Sequence, residues 1–477
     1  MSERKNYALS PEVAEEQNAI IADIRIINEE NYAKGLPRKK AFVETYGCQQ
    51  NVSDSEILMG MLINMGFEEA ADKDEADIII YNTCAVRENA ELKVFGNLGA
   101  LKHRKSKEPD LIIGVCGCMM QQEANADEIR RKYKHVDLVF GTHSLYYFPS
   151  LLYDVIKNQN RVIDVRDTDG AIAEDYPVKR AEGPCAWVSV MYGCNNFCSY
   201  CIVPYVRGRE RSRSSEAIIA EVKELARDGY KEITLLGQNV NSYGKDRGDN
   251  YDFADLLNDV CKIDGIERVR FMTSHPKDIS DKLIETMAAN DKVCKQLHLP
   301  VQAGNNRVLE SMNRRYTKES YLERIAKVKE AMPDITLTTD IIVGFPGETK
   351  EEFEDTIDVL QKVRYDTIFS FIYSRRPGTP AAKMEDVLTD SEKKECFNRL
   401  LEVQDKISYE KNAALEGKVL TVLTEGYSKT DSTVLTGRTE GGKIVNFQGD
   451  SSLIGQFVKV KITDVRTWSL IGETVKF

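Results

Sequence analysis

The chain has 477 residues and a formal net charge of −11 at pH 7; 42% of its residues are hydrophobic and 30% are charged. The length excludes a single ordinary domain and predicts two to four, while the composition is ordinary for a globular protein. The acidic balance argues against nucleic-acid binding by the whole surface, so an RNA partner must meet local basic patches.

The sequence contains no apolar run that approaches a membrane span, and Met1-Ser2-Glu3-Arg4-Lys5 leads into polar sequence, not into an apolar signal core. Eleven cysteines without a secretion signal indicate a reducing compartment, in which cysteines serve as ligands and not as disulfides. We therefore expect a cytoplasmic protein without membrane association.

Residues 1–38 form a polar extension in which 17–27 are weakly amphipathic, and Lys34-Gly35-Leu36-Pro37 ends that pattern. We expect a tethering tail or a docked helix there and assign no function to it.

Residues 39–157 alternate between strand and helix patterns, which predicts a doubly wound α/β domain. The predicted strands are 41–45, 77–81, 111–115 and 136–140, and the predicted helices are 53–66 and 91–102. Cys48, Cys84 and Cys118 each follow a strand, and parallel strands place their carboxyl ends along one edge. Burial as small apolar residues is the usual fate of free cysteines, but three at one edge favour an iron–sulfur cluster with one open iron. Cys116 lies deeper in the strand and is assigned to the core.

Residues 158–179 are polar and are interpreted as a linker between domains. The acidic residues of this region are Asp164, Asp167, Asp169, Glu174 and Asp175.

Residues 180–412 contain six predicted strands that alternate with helices. The strands are 187–190, 232–236, 269–272, 296–299, 336–343 and 367–373, and the helices are 215–227, 253–262, 281–289, 318–331, 351–363 and 391–413. Six strands are too few for an eightfold barrel and fit a partial (β/α)6 barrel, in which chemistry lies at the carboxyl ends of the strands.

Cys194, Cys198 and Cys201 form a Cys-x-x-x-Cys-x-x-Cys run after the first strand of this barrel. Zinc sites usually draw four ligands from two separate pairs, whereas here the fourth ligand is missing. The spacing favours an iron–sulfur cluster with one open iron. The alternatives are a zinc site completed by a distant ligand and three unlinked core cysteines.

Arg207, Arg209, Arg211 and Arg213 alternate with other residues directly after the cysteine run. An extended backbone would place the four guanidinium groups on one side, where they suit phosphates. We predict RNA contacts here; the alternative is a solvated basic loop that pairs with nearby acids.

Residues 413–477 change to strand patterns at 419–424, 433–436, 443–447, 457–465 and 474–476, which predicts a small antiparallel β-barrel. Eight Lys or Arg against seven Asp or Glu after residue 415 make this part near neutral, which is mildly favourable for RNA. Tyr427, Phe447 and Trp468 could stack on bases, although core packing is the commoner role of such aromatics.

Several motifs resemble those of the radical S-adenosylmethionine methylthiotransferase family. They are Thr45-Tyr46-Gly47-Cys48-Gln49-Gln50-Asn51, Tyr81-Asn82-Thr83-Cys84-Ala85, Gly117-Cys118-Met119-Met120-Gln121 and the Cys194–Cys201 run. The family commonly has methionine where this chain has Gln50. Residues 413–477 resemble the TRAM domain, an RNA-binding appendage of RNA-modifying enzymes.

The resemblance implies two [4Fe–4S] clusters and no catalytic side chain. Cys194, Cys198 and Cys201 would hold the cluster whose open iron binds the amino and carboxylate groups of S-adenosylmethionine, and Cys48, Cys84 and Cys118 would hold an auxiliary cluster. It also implies contacts to S-adenosylmethionine from the barrel, assigned here to Tyr200, Gln238, Asn239, Ser274, Gln302 and Asp340.

The sequences 194–198 and 203–213 are most similar to the branch that adds a methylthio group to carbon 2 of N6-dimethylallyladenosine at tRNA position 37. That branch uses one S-adenosylmethionine as methyl donor and one as radical source. The implied partners are the tRNA anticodon arm and a reductant protein, and a monomer is expected. The alternatives within the family act on N6-threonylcarbamoyladenosine in tRNA or on an aspartate of a ribosomal protein.

Two other classes remain as alternatives, namely an RNA-binding protein with structural clusters and an iron–sulfur electron carrier. Two three-cysteine sites argue against the first, because structural sites are usually closed. The barrel and the RNA-binding appendage argue against the second, because an electron carrier needs neither.

Overall fold

The computed structural model describes residues 8–85, 88–166, 168, 170–172, 174 and 176–475, without the side chains of 88–90. The chain divides into two compact units. The first contains the chain up to residue 181 with 191–195 and 202–213; the second contains 182–190, 196–201 and the chain from 214 onwards. The polar start at Met1–Lys5 and Asp167, Asp169 and Asp175 of the predicted linker lie outside the described residues.

The first unit is built on a six-stranded parallel sheet with the order β2-β1-β3-β4-β5-β6. Its strands are β1 (Lys40–Tyr46), β2 (Glu68–Glu69), β3 (Ile78–Thr83), β4 (Ile112–Gly117), β5 (Leu138–Phe140) and β6 (Val162–Asp164). Ile78 and Ile80 of β3 pack in one hydrophobic cluster, and Ile79 and Tyr81 pack in a second one. Because side chains alternate along a strand, both faces of the sheet are covered, and the predicted doubly wound fold is confirmed.

The helices of this unit are α1 (Pro11–Ala33), α2 (Gln49–Asn64), α3 (Glu88–Lys107), α4 (Glu123–Lys132) and α5 (Phe148–Asn158). The predicted extension contains α1, which is capped by the Ser10 side chain and buries Ile21 and Ile24. It is therefore a docked helix. The helix expected from residue 53 begins at Gln49, because the Asn51 side chain accepts from the backbone N–H of Cys48 (3.4 Å) at the helix start.

After β7 (Cys185–Ser189) of the second unit, two short segments of the chain belong to the first unit. They contain β8 (Met191–Tyr192), α6 (Val203–Arg207) and β9 (Arg211–Ser212), and β8 pairs antiparallel with β9. The segment after the cysteine run is therefore partly helical. The prediction of a continuous extended backbone through the four arginines is wrong at α6.

The second unit contains the predicted six parallel strands. They are β7, β10 (Glu232–Leu236), β11 (Arg268–Met272), β12 (Gln296–His298), β13 (Thr336–Val343) and β14 (Thr367–Ile372). They pair in the orders β11-β10-β7 and β12-β13-β14. The helices are α7 (Ser215–Arg227), α8 (Phe253–Cys261), α9 (Asp281–Ala289), α10 (Asn306–Ser311), α11 (Lys318–Ala331) and α12 (Lys350–Val363). The partial (β/α)6 barrel is confirmed, with α10 as an additional helix.

The helix α13 (Asp390–Ala413) leads into a closed five-stranded barrel. Its strands are β15 (Val419–Tyr427), β16 (Leu435–Thr439), β17 (Ile444–Gln448), β18 (Phe457–Val465) and β19 (Leu470–Thr474). The predicted small β-barrel is confirmed, although the β17–β19 pair is parallel while the other pairs are antiparallel. The last strand ends at Thr474, where the sequence predicted it to begin, and Lys476 lies outside the described residues.

Arginines at the start of β11 attach this barrel to the amino-terminal ends of the parallel strands. Arg268 donates to the carbonyl oxygens of Thr421 and Arg438 at 3.0 Å each. Arg270 donates to the carbonyl oxygens of Thr439 and Glu440 at 2.7 Å each. The barrel therefore lies at the end of the strands opposite to their carboxyl ends. None of the helices in the described part of the chain is both long and apolar enough to cross a membrane.

Candidate functional site

Three cysteines follow neighbouring strands of the first unit at the same level. Thr83 at the end of β3 is in register with Tyr46 of β1 and Gly117 of β4. Cys84 and Cys118 come directly after these strands and are buried, and Cys48 comes two residues after β1. A hydrogen bond from the Cys84 thiol, together with the charge of Arg207, lowers the pKa of Cys48 to about 5 against the opposing effect of burial.

Two buried asparagines hold the loops that carry these cysteines. Asn51 Oδ1 accepts from the Cys48 thiol at 3.3 Å, and Asn51 Nδ2 donates to Asn82 Oδ1 at 3.0 Å. Asn82 in turn donates to the Asn51 carbonyl oxygen at 2.8 Å. Gly117 has a φ of 99°, and a Cβ there would collide with Asn82. The close packing thus requires glycine directly before Cys118.

Arg207 at the end of α6 reaches this group of cysteines. Its Nε donates to Cys118 Sγ at 3.2 Å and its Nη2 donates to Asp54 Oδ2 at 2.7 Å. The residue is only 5% exposed. The sequence could not indicate this position, because Asp54 and Cys118 are remote from Arg207 along the chain.

The other three arginines of the run differ from one another. Arg211 donates to the carbonyl oxygens of Arg207 and Arg209, and Arg213 forms an ion pair with Glu174 at 2.6 Å; both are buried. Arg209 is exposed. The expectation of four guanidinium groups on one side is therefore wrong for Arg207, Arg211 and Arg213. These three side chains are buried and bind acceptors inside the fold.

The donor set suits an iron–sulfur cluster. Thiolates are the usual ligands of such clusters, and the N–H group of Arg207 provides a hydrogen bond to a sulfur. Among the residues that the structure describes, no group of three or more His, Cys, Asp or Glu is arranged to hold a metal ion. Three thiolates are the ligand number of an iron–sulfur cluster with one open iron, whereas structural zinc sites usually have four ligands.

The second cysteine run is held from both of its ends. In the first unit, Cys194 follows β8 and donates its backbone N–H to the Gly208 carbonyl oxygen at 3.1 Å. In the second unit, Cys201 donates its backbone N–H to the Cys198 carbonyl oxygen at 2.9 Å, and Ser199 donates to the Met312 carbonyl oxygen at 3.0 Å. Within each unit, the backbone around these cysteines is therefore fixed by hydrogen bonds.

Arg314 is a buried residue at this loop that the sequence did not indicate. Its guanidinium group donates to Cys198 Sγ at 3.5 Å and to the Pro300 carbonyl oxygen at 2.7 Å. It also donates to Tyr316 Oη at 3.0 Å. Nothing in the local sequence distinguishes Arg314 from its exposed neighbours, because its partners come from other loops.

The residues assigned to S-adenosylmethionine lie in the barrel. Gln238 and Asn239 follow β10 and Ser274 follows β11. Asn239 Oδ1 and Ser274 Oγ are buried and have no hydrogen-bond partner among the described atoms. Such orphaned polar atoms indicate a polar ligand at these strand ends.

The other three assigned residues are placed differently. Gln302 has a φ of 69°, which side-chain-bearing residues rarely adopt, and its backbone bonds to β13 through Asp340 and Ile342. Asp340 lies inside β13 and not at its end, with Oδ1 at 3.5 Å from His298 Nε2. Tyr200 packs against the hydrophobic cluster of Phe345, and its burial raises the pKa of its hydroxyl group.

Two titratable groups near these strand ends have shifted pKa values. Burial lowers the pKa of His275 to about 2, and its ring meets Tyr316 edge to face with 5.7 Å between the ring centroids, so this histidine is a packed neutral residue. Burial raises the pKa of Glu348 to about 7.

Three protein families match parts of the chain. The Radical SAM superfamily matches residues 188–360, Uncharacterized protein family UPF0004 matches 40–141, and the TRAM domain matches 413–475. The fold is similar to the radical S-adenosylmethionine methyltransferase TsrM from Kitasatospora setae, with a TM-score of 0.54 at 14% identity over 72% of this chain and 75% of that chain.

Curated relatives match along the whole chain, and those cited here are called tRNA-2-methylthio-N(6)-dimethylallyladenosine synthase. The protein of Acetivibrio thermocellus is 58% identical over 99% of both chains. The protein of Alkaliphilus oremlandii is 55% identical over 100% of both chains, and that of Clostridioides difficile is 54% identical over 99% of both chains.

The partial barrel and the cysteine loop that it carries define a radical S-adenosylmethionine enzyme. Enzymes of this class use S-adenosylmethionine and a [4Fe–4S] cluster. By its full-length relatives, the chain belongs to the family of tRNA-2-methylthio-N(6)-dimethylallyladenosine synthases, which are radical S-adenosylmethionine methylthiotransferases.

Proposed function

We propose that this enzyme adds a methylthio group to carbon 2 of N6-dimethylallyladenosine at position 37 of tRNA. The observation that carries the proposal is 54–58% identity to relatives of that name over essentially the whole of both chains. The similarity includes the amino-terminal unit, the barrel and the RNA-binding appendage. None of the cited relatives is named for either of the two alternative activities, on N6-threonylcarbamoyladenosine or on a ribosomal protein.

Two [4Fe–4S] clusters are part of the proposal. Cys194, Cys198 and Cys201 would hold the cluster that binds S-adenosylmethionine, and Cys48, Cys84 and Cys118 would hold the auxiliary cluster. When bound, these groups supply the radical and sulfur chemistry that an unactivated aromatic C–H bond requires and that acid–base side chains lack.

The residues of the chain supply binding and orientation. Asn51 and Asn82 fix the loops of Cys48 and Cys84 through the hydrogen bonds between their amides. Asn239 and Ser274 offer buried polar atoms to S-adenosylmethionine. Gln238, Gln302, Asp340 and Tyr200 complete the proposed set; Asp340 reaches the site from within β13 and Tyr200 contributes mainly an apolar wall.

The RNA partner is proposed to be the anticodon arm of tRNA. Such an arm presents a single-stranded loop on a duplex stem, which suits base stacking in the loop and charge contacts along the backbone. Arg209 is the exposed member of its arginine run and is the proposed phosphate contact. A tRNA substrate is the reason to propose a cytoplasmic enzyme; a reductant protein and a monomeric state complete the proposal.

Nucleoside mass spectrometry of tRNA tests the activity. In a strain that lacks this protein, we expect N6-dimethylallyladenosine to accumulate and its 2-methylthio derivative to disappear. The native gene should restore the derivative, whereas a gene encoding Cys198→Ala should not. Loss of a methylthio group from N6-threonylcarbamoyladenosine, or from a ribosomal protein, would instead establish one of the alternatives.

Iron analysis tests the two clusters. Replacement of Cys194, Cys198 and Cys201 by alanine should remove about half of the bound iron, and so should replacement of Cys48, Cys84 and Cys118. Cys261 is buried in α8 and belongs to neither set, so Cys261→Ala is the control and should retain all the iron. Full iron content in the second triple variant would exclude the auxiliary cluster.

A further inference from the structure

The environment of Arg207 is unusual for an arginine in a basic run. Its guanidinium group is buried between a carboxylate and a thiol, with Nη2 on Asp54 at 2.7 Å and Nε on Cys118 at 3.2 Å. The side chains of Arg207 and Asp54 are each 6% exposed. Burial of a charge is costly unless the charge is paired and hydrogen-bonded, so this arrangement needs a reason.

The charges around this guanidinium group do not cancel once the cysteines act as ligands. Arg207 and Asp54 neutralise each other. Cys48, Cys84 and Cys118 bind metal as thiolates, and together with the positive charge of the cluster core they leave a net negative charge beside this neutral pair. Arg207 Nε lies 3.2 Å from Cys118 Sγ, so its positive charge is directly beside one of the proposed ligands.

The charge of Arg207 and the shape of its guanidinium group are two separate properties, and a substitution can change one without the other. The planar guanidinium group binds the carboxylate with one nitrogen and the sulfur with another at the same time. A lysine ammonium group would retain the charge but lacks this fixed fork. An arginine is therefore required if both the Cys118 sulfur and the Asp54 carboxylate are to be held in place.

We propose that Arg207 is a positioning residue for the auxiliary cluster: it fixes Cys118 through an N–H···S hydrogen bond and raises the reduction potential of the cluster by placing a buried positive charge beside its ligands. Hydrogen bonds to the ligand sulfurs and the local charge are two factors that set the potentials of iron–sulfur clusters. The inference rests on the proposed auxiliary cluster.

The test uses the full chain with Cys194, Cys198 and Cys201 replaced by alanine, so that only the auxiliary cluster gives a signal. Iron content and an electron paramagnetic resonance redox titration are measured in this background with Arg207→Gln, Arg207→Lys and Arg209→Gln. We expect a more negative midpoint potential in Arg207→Gln, a smaller shift in Arg207→Lys, and no shift in Arg209→Gln, which removes an exposed charge of the same run.

Arg207→Gln leaves Asp54 buried without its partner, which could prevent folding. The variant Asp54→Asn/Arg207→Gln removes both charges of the pair together, and such paired removal disturbs folding much less. It should also show a lowered potential, but by less than Arg207→Gln does, because the N–H···S bond is lost while the net charge of the pair stays the same.

The outcomes separate the inference from the proposed function. A background variant that binds no iron would exclude the auxiliary cluster and this inference with it. If the background variant binds a cluster, and neither Arg207→Gln nor the double variant changes the midpoint potential of that cluster, the inference is overturned. The auxiliary cluster itself would then stand.

Discussion

Glu348 is a buried carboxyl group just after β13. Its Oε2 accepts from the Gly344 backbone N–H at 2.7 Å, while Oε1 is buried without a hydrogen-bond partner among the described atoms. Burial raises its pKa to about 7, so the folded chain holds this proton more tightly than the unfolded chain does. The contribution to stability is complete below the ordinary pKa near 4.5 and is lost as the pH rises towards 7.

Replacement of Glu348 by glutamine should therefore have a pH-dependent effect. The variant has no charge to bury, so its stability relative to the native chain should rise by about 3 kcal/mol between about pH 5 and about pH 8. The unfolding temperatures of both proteins at the two pH values, at equal cluster content, measure this. A constant difference would show that Glu348 titrates normally.

Glu352 provides a control with the opposite sign. It lies in the first turn of α12, and a hydrogen bond from Arg307 is the main cause that lowers its pKa. Its contribution to stability is present above the ordinary pKa of a glutamate and is lost as the pH falls through the lowered value. Glu352→Gln should therefore cost stability at about pH 8 and have less effect near pH 4.

At the scale of elements, the short strand β11 joins the parallel strands to the carboxy-terminal barrel. Arg270 donates to Glu232 Oε1 at 2.7 Å within the sheet and to the carbonyl oxygens of Thr439 and Glu440 in the barrel. Lys443 of the barrel adds an ion pair with Asp366 at 2.9 Å. Buried contacts of this kind fix the barrel in place, unlike a flexible tether.

Arg270→Met should loosen this attachment. The change removes the bonds to two carbonyl groups and leaves the Glu232 carboxylate without its closest partner, which costs about 3 kcal/mol or more. Proteolytic release of the carboxy-terminal barrel under native conditions should be roughly 100-fold faster, since cleavage follows the open population. Arg227→Met removes an exposed arginine of α7 and should leave the rate unchanged.

Local signals explain why many elements could be predicted from the sequence. The helices α7, α9 and α11 match the prediction residue for residue, and each is preceded by a side chain that caps it: Ser214, Ser280 and Thr317. The alternation of buried strands with helices likewise predicts the α/β sheet domain of the first unit and the partial barrel of the second.

The arginine run shows what could not be predicted. Its period of two favours an exposed extended segment, but Arg207 instead forms an ion pair with a residue 153 positions away. Arg314 likewise reaches Cys198 across 116 positions. Such contacts are decided by tertiary packing, so the pattern around Arg207 or Arg314 contains no information about them.

At the scale of the molecule, the carboxy-terminal barrel presents aromatic side chains to solvent. Tyr427 is 48% exposed and Trp468 is 56% exposed, whereas Phe447 is 2% exposed and belongs to the core of the barrel. Core packing thus accounts for Phe447 alone. Exposed aromatics on an RNA-binding type of domain are suited to stacking on bases.

Tyr427→Ala and Trp468→Ala should each weaken tRNA binding, because a stacked base contributes about 1–3 kcal/mol. Tyr409→Ala is the control, since Tyr409 is 50% exposed but lies on α13 outside the barrel. Dissociation constants at one salt concentration provide the measurement. Unchanged binding in both barrel variants would assign the barrel another role and favour a protein substrate.

The return of residues 202–213 to the first unit has a consequence for biosynthesis. A nascent chain that has left the ribosome up to residue 181 contains Asp54 and Cys118 but not Arg207. Domains usually fold in order as they emerge from the ribosome. Here the Asp54 carboxylate has no ion-pair partner until Arg207 is translated, which happens after the first barrel strand. A product truncated before Arg207 would therefore lack the ion-pair partner of Asp54 and would be a substrate for quality-control proteases.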